Sequence, residues 1–194
     1  ELRKLGHEAF SCDLLPESGG HPEWHLQHDV TKVLKLKWDM IIAFPPCTYL
    51  TNAGMCNLTR KGATDEYRAN RLRLRDEAME FAKMIYDNDC PLIAIENPVG
   101  YLNTGWRKPD QIINPYQFGD SFMKNTCLWI KGLPKLKHTN LVERGQMIKM
   151  SNGKFMNKFH YDTFKLPANE RSRVRSKTFP GIAKAMAEQW YSLL

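Results

Sequence analysis

Two consecutive prolines followed at once by a cysteine, within residues 39–52 (DMIIAFPPCTYLTN), restrict this chain more than any other stretch. The apolar run Met40-Ile41-Ile42-Ala43-Phe44 reads as a buried strand. Proline cannot donate to a sheet ladder and fixes its own φ, so Pro45-Pro46 ends that strand and sets the following turn rigidly. Cys47 is thereby held at a strand end. In an open α/β sheet the carboxyl ends of the strands border the ligand crevice, so a thiol there can serve as a nucleophile. It can equally be a small buried hydrophobe, and the rest of the chain has to separate the two readings.

Residues 1–6 (ELRKLG) read as the end of a helix closed by Gly6. Residues 7–13 form a short strand ending in Asp13, and 25–28 a second one followed by Asp29. One or two helical turns over 30–36 then lead into the strand at 40–44. Residues 53–64 are a polar loop with Gly54, Asn57 and Gly62, long enough to move over a site. From 65 to 86 the pattern is helical, with Leu74, Ala78, Phe81, Ala82 and Ile85 on one face. Arg68, Arg71, Arg73 and Arg75 in its first half fit a solvated face among Asp and Glu neighbours, or nucleic-acid contact. Residues 90–96 (CPLIAIE) give another buried strand, broken by Asn97-Pro98 as abruptly as Pro45-Pro46 breaks the earlier one. Further strands are expected at 116–119 and 126–131, and a closing helix at 180–191. This alternation favours one α/β domain over residues 1–194 with a doubly wound parallel sheet.

The charge balance narrows the partners. With 28 Lys and Arg against 21 Asp and Glu, the net charge is +7, which favours an anionic partner, nucleic acid first. Residues 133–168 lack clear periodicity and interleave Lys135, Lys137, His138, Arg144, Lys149, Lys154, Lys158 and His160 with Phe155, Phe159 and Tyr161, a pattern suited to a nucleic-acid strand. The five cysteines, at 12, 47, 56, 90 and 127, include no CxxC pair and suggest neither a disulfide framework nor a thiolate zinc site. A reducing cytoplasm is the expected location. No apolar run approaches the roughly 18 residues of a membrane span, and nothing points to an obligate protein partner. His21, His25 and His28 offer a zinc alternative, but no cysteine or helical register supports it, so no metal is expected.

Several segments carry a specific resemblance. AFPPCTYLTNAG (43–54) resembles the Pro-Cys nucleophile loop of the cytosine-5 DNA methyltransferases, and IAIENPVG (93–100) resembles the Glu-Asn-Val strand end that follows it there, in the same order. YQFGDSFMKNTCLWIKG (116–132) is similar to the family's Tyr-Gly, Gln-x-Arg-x-Arg and apolar-strand segment, and ERSRVRSKTFPGIAKAMAEQW (170–190) to its closing Phe-Pro and helix segments. The resemblance covers most of residues 7–132 and 168–194 and is nearest to the short, phage-type DNA cytosine methyltransferases of bacterial or phage-infected cells.

That resemblance implies a Rossmann-like methyltransferase sheet, S-adenosylmethionine as methyl donor and DNA as partner. Cytosine C5 is too weak a nucleophile to take a methyl group directly. Cys47 would add at C6, and Glu96 would meet the N3 edge from a closed pocket. Asn97 would hold the strand end. Asp13 matches the acid for the ribose hydroxyls, Asp29 the acid near the adenine, and Pro45 a further cofactor contact. Lys124 and Thr126 stand where the family has its Arg-x-Arg pair. With Arg171, Arg173 and Arg175 they are the expected nucleic-acid contacts around a base drawn out of its helix. Residues 133–168 would be a small target-recognition insert.

The chain also departs from the family. The first strand and its Phe-x-Gly-x-Gly turn are expected before Glu1, so the chain may be read as a fragment, and Thr48-Tyr49 replaces a common glutamine. Two alternatives therefore stay open: a nucleic-acid-binding protein that keeps the fold without transfer, and a methyltransferase acting on RNA or a free nucleotide.

Overall fold

A computed structural model describes the backbone of residues 1–194 and the side chains of all but Ala53, Asn169 and Ser172. The chain opens with a 3-10 turn, Leu2–Leu5, closed by Gly6 at φ 92°, a left-handed position that favours glycine. β1 (Ser11–Asp13) and β2 (His25–Gln27) pair in parallel. Asp29 accepts the Thr31 N–H and so caps α1 (Val30–Val33), which leads to β3 (Met40–Ala43). After α2 (Asn52–Met55) comes α3 (Asp65–Tyr86), capped by the Thr64 hydroxyl on the Tyr67 N–H. The central strand β4 (Leu92–Pro98) follows, then β5 (Gln111–Ile113), β6 (Thr126–Lys131) and the hairpin of β7 (Met147–Lys149) with β8 (Phe155–Asn157). Three helices finish the chain: α4 (Lys158–Phe164), α5 (Ala168–Ser176) and α6 (Pro180–Trp190).

The main sheet has the order β3-β4-β6-β5. β3 runs parallel to β4 from Met40 opposite Leu92 to Ala43 opposite Ile95, while β6 is antiparallel to both β4 and β5. Alternate residues of a strand face opposite sides, and β4 uses both. Ala94, with Leu128 of β6, packs against Ile182, Ala185, Met186 and Trp190 of α6. Ile93 and Ile95, with Trp129, pack against Ala82 and Ile85 of α3. Helix, sheet and helix thus form three layers, and each large apolar side chain buried between them stabilises the fold by about 1.5–3 kcal/mol. The two tryptophans keep their donors satisfied, Trp190 on the Pro134 carbonyl at 3.0 Å and Trp129 on the Arg107 carbonyl at 2.9 Å.

The protein is mixed α/β, and it departs from a single parallel sheet in two respects. β1–β2 is a separate ladder, and β6 enters the main sheet antiparallel. The strand expected at 116–119 is a 3-10 turn, Pro115–Gln117; the strand lies earlier, at β5. Pro115 has no N–H for a ladder and suits the first position of a turn, and the Asn114–Gln117 capping box closes it. The 53–64 loop is partly helical, through α2 and a 3-10 turn over Cys56–Thr59. Within the segment 133–168, expected as an insert, Leu133 and Leu136 are buried with α6, and the Leu136 N–H binds the Gln111 side chain. Among the described residues no helix is long and apolar enough to cross a membrane.

Candidate active site

β3 pairs with β4 as far as Ala43 opposite Ile95; the chain then leaves β3 into the Pro-Pro-Cys turn, while β4 continues through Glu96 and Asn97, paired with Leu128 and Cys127 of β6. Strand alternation sends Glu96 to the α6 face and Asn97 to the α3 face. Asn97 is 1% exposed, and its Nδ2 donates to the Pro45 carbonyl at 2.9 Å. The cysteine turn is pinned to β4 by that bond.

Beyond the prolines the turn closes on itself and is clamped a second time. The Cys47 carbonyl accepts the N–H groups of Leu50 and Thr51 at 3.0 and 3.1 Å, and the Leu50 carbonyl accepts the Tyr101 N–H at 2.6 Å. Thr51 bridges to Gly100. A Cβ on Gly100 would stand 2.0 Å from the Leu50 carbonyl oxygen, so only glycine lets the two segments touch. Gly100→Ala is therefore expected to cost about 1–3 kcal/mol, as overpacking does. It should appear as a lower denaturant midpoint at unchanged slope. α3 supplies a third restraint: Arg71 donates to the Gly54 carbonyl at 3.0 Å and lies over the Tyr49 ring at 5.0 Å, while Arg75 lies over Tyr101 at 3.8 Å. Both turn inward to the loops around Cys47. Arg73 pairs with Glu77 of its own helix; Arg68 pairs with Asp65 and also donates to the Leu58 carbonyl at 3.1 Å, and Arg75 pairs with Asp76 as well.

The electrostatics couple three groups. Burial pushes the Cys47 thiol up, the Glu96 charge raises it further, and Lys124 acts against both. Burial likewise pushes the Glu96 carboxyl up, opposed by the same Lys124. A site that raises both groups holds a protonated thiol and favours a protonated carboxyl, with one cation placed to favour the thiolate when it forms. Lys124 is fixed by donating to the Arg175 carbonyl at 3.3 Å.

The other expected contacts fall in different places. Asp13 ends β1 exposed, with one carboxylate oxygen accepting the Leu15 N–H at 3.0 Å. Asp29 spends one oxygen on the N–H and hydroxyl of Thr31, which draws its carboxyl below the ordinary range. Pro45 is buried. Thr126 is 3% exposed, and its hydroxyl donates to the Lys124 carbonyl at 3.2 Å. Thr126 is thereby corrected from a nucleic-acid contact to a buried strand residue, because β6 carries it between Pro98 of β4 and Ile113 of β5.

Of the three α5 arginines, Arg175 binds the Thr163 hydroxyl at 2.8 Å and the His160 carbonyl at 2.9 Å. Arg171 binds the Phe164 carbonyl at 3.2 Å, and Arg173 is exposed. Arg175 thus ties α5 to α4 and, through its carbonyl, holds Lys124. Both ring nitrogens of His25 are engaged, by the Ser11 hydroxyl and the Leu15 carbonyl at 2.9 Å each. Among the described residues no group of three His, Cys, Asp or Glu side chains is placed to hold a metal.

The residues that sequence reading missed are the clamps: Gly100, Tyr101, Arg71 and Arg75. Only the Val-Gly after Asn97-Pro98 hinted at them, as a glycine where two backbones meet closely. No known family model matches the chain, and no curated protein matches it.

Proposed function

We propose that the chain is a DNA cytosine-5 methyltransferase with a Rossmann-like domain, using S-adenosylmethionine and a covalent Cys47 adduct. The observation that carries this reading is the electrostatic coupling of Cys47, in the turn after β3, with Glu96 of the adjacent β4, both raised by burial and both acted on by the charge of Lys124. Addition of a thiolate to C6 pushes an electron pair through the ring toward N3. A protonated Glu96 can give its proton there, and C5 becomes the nucleophile. The thiol proton leaves to solvent as the Lys124 ammonium stabilises the thiolate. Once C5 carries the new methyl group, loss of the C5 proton to a base expels the thiolate from C6, and return of the N3 proton to Glu96 restores the ring and the carboxyl. Asn97 positions the turn and does not touch the ring.

The residues at the strand ends fit the methyl donor. Leu14 and Leu15 after β1 are 71% and 69% exposed, and Phe44 after β3 is 49% exposed, apolar area that an adenosine group can cover. Asp13 keeps one carboxylate oxygen for ribose hydroxyls, and Asp29 stands after β2 for the adenine side. The bound donor supplies an electrophilic methyl sulfonium. The open parallel pairs β1–β2 and β3–β4 are what a parallel sheet interrupted between them would leave. Arg171 and Arg173 on α5 and Lys158 on α4 would meet phosphates of the strand.

The separation of β1–β2 from β3 also favours a second reading, a nucleic-acid-binding protein that makes no transfer. Incubating the full-length protein with methyl-labelled S-adenosylmethionine and duplex DNA, single-stranded DNA, RNA or deoxycytidine monophosphate separates the readings. Label in 5-methyldeoxycytidine from DNA is expected. Label confined to RNA or the free nucleotide would move the assignment to that substrate, and salt-sensitive DNA binding without cofactor binding would favour the second reading.

A further inference from the structure

Behind Lys124, three phenylalanines, Phe122, Phe159 and Phe179, lean on one another with ring centroids 5.2, 5.3 and 6.0 Å apart. The Lys124 ammonium lies 5.8 Å from the Phe179 ring. On the side of this cluster formed by the insert, Phe122 and Phe159 line a cavity of about 320 Å³, within the range of roughly 300–1,000 Å³ typical of ligand pockets. Its back is closed because Gly145, at φ 82°, approaches the 121–122 segment so closely that a Cβ would stand 2.3 Å from the Ser121 carbonyl oxygen.

One polar side chain in its wall lacks a partner. Asn157 is 7% exposed. Its Oδ1 accepts the Phe159 N–H at 2.9 Å and so caps α4, which fixes which end of the amide is which. The other end, Nδ2, is buried with no hydrogen-bond partner. A buried donor without an acceptor is costly, and it points to an acceptor brought by something else. At the rim stands Lys158, paired with Asp162. Aromatic walls, one uncompensated donor and a rim cation together fit a flat heteroaromatic ring that bears an acceptor and is joined to an anion.

We propose that this cavity is a nucleobase pocket and that it holds a base adjacent to the target cytosine, displaced from the strand and read by Phe122, Phe159 and Asn157 Nδ2. It takes a neighbour of the target because Cys47 does not line it, while Phe179 of the cluster meets Lys124, whose charge reaches Cys47. The assignment rests on the nucleic-acid reading above, and a free nucleoside shares the same chemistry.

Photocrosslinking tests it. DNA carrying one 5-fluorocytosine, with 5-iododeoxyuridine or 8-azidodeoxyadenosine at each flanking position in turn, is bound to the full-length protein, irradiated and mapped by peptide mass spectrometry. One flanking position should crosslink to Phe122 or Phe159. Phe159→Leu, which keeps apolar bulk, should lower that yield about tenfold, in line with the loss of one base stack. Asn157→Asp, which keeps the cap, should lower it as well by replacing the donor with an acceptor. Equal crosslinking of the free photoreactive nucleosides at the same peptide, with no gain from the strand, would assign the pocket to free nucleosides and overturn the strand-reading role. Crosslinks found only outside residues 121–122 and 157–162, or none in a complex seen by gel shift, would overturn the pocket. A Phe159 crosslink without a Cys47 adduct would leave the pocket standing while the methyltransferase reading fails.

Discussion

Cys47→Ala is expected to abolish methyl transfer to DNA, a loss of at least about 10⁴-fold, while changing global stability by no more than about 1 kcal/mol. The asymmetry follows from how the turn is held. Asn97 grips the Pro45 carbonyl, and Leu50, Thr51 and Tyr101 close the loop through backbone groups, so no bond that fixes the turn passes through the thiol. Cys47→Ser should be nearly as inactive, because a hydroxyl is a far weaker acid than a thiol and forms almost no oxyanion where burial already holds the thiol up. Methyl incorporation measured beside a denaturation curve for each variant checks both halves. Retained transfer in Cys47→Ala would remove covalent catalysis from the account.

Glu96→Gln should produce the second large change, in rate and in the shape of the pH profile. The active form of the site needs Glu96 protonated and Cys47 ionised, and burial pushes both groups up. Between the two pKa values the thiolate fraction rises with pH as fast as the protonated carboxyl falls, so the wild-type rate should be flat there and decline on either side. Glutamine can still donate to N3 but cannot transfer a proton. The variant should be slower by about 10²–10⁴-fold, and its rate should rise about tenfold per pH unit through neutrality, since only the thiol still titrates.

Stability should move in the opposite direction. A carboxyl raised in the folded state contributes stability that is full below its unfolded pKa and lost as pH rises through its folded pKa. Glu96→Gln should therefore melt higher than wild type at pH 8, with the gain shrinking as pH falls through the raised pKa of Glu96 and gone below the ordinary carboxylate range. Rate profiles and melting curves over the same pH series check this together.

The pairing of Cys47 with Glu96 and Asn97 was legible because proline punctuates both strands. Pro45-Pro46 and Pro98 mark where β3 and β4 stop, and parallel pairing then places the flanking residues side by side. α3 was legible to the residue from its 3.6 period. What the sequence hid is set by contacts between distant segments. Arg71 and Arg75 look like members of a charged helix surface, yet they point to Gly54 and Tyr101 across the site. Gly100 hints at a close approach only by being a glycine after Asn97-Pro98, and no local pattern names the Leu50 carbonyl that would stand 2.0 Å from a Cβ there. Thr126 was placed by its match to a motif position, and the register of β6 between β4 and β5 buries it. The strand before β6 was misplaced because Tyr116 and Phe118 look strand-like, whereas Pro115 and the Asn114–Gln117 box decide the local backbone. The tie between Lys124 and Arg175 joins residues 51 positions apart, a separation that no local pattern records.

The central claim is that Cys47 forms a bond to C6 of a cytosine. It is tested most directly by incubating the full-length protein with S-adenosylmethionine and DNA containing 5-fluorocytosine, whose fluorine blocks the final elimination, and mapping the product by mass spectrometry. The account predicts a denaturation-resistant complex with the modified base on the peptide that contains Cys47, absent from Cys47→Ala and strongly reduced in Glu96→Gln. A complex that persists in Cys47→Ala, or no complex from protein that binds both DNA and S-adenosylmethionine, would contradict it.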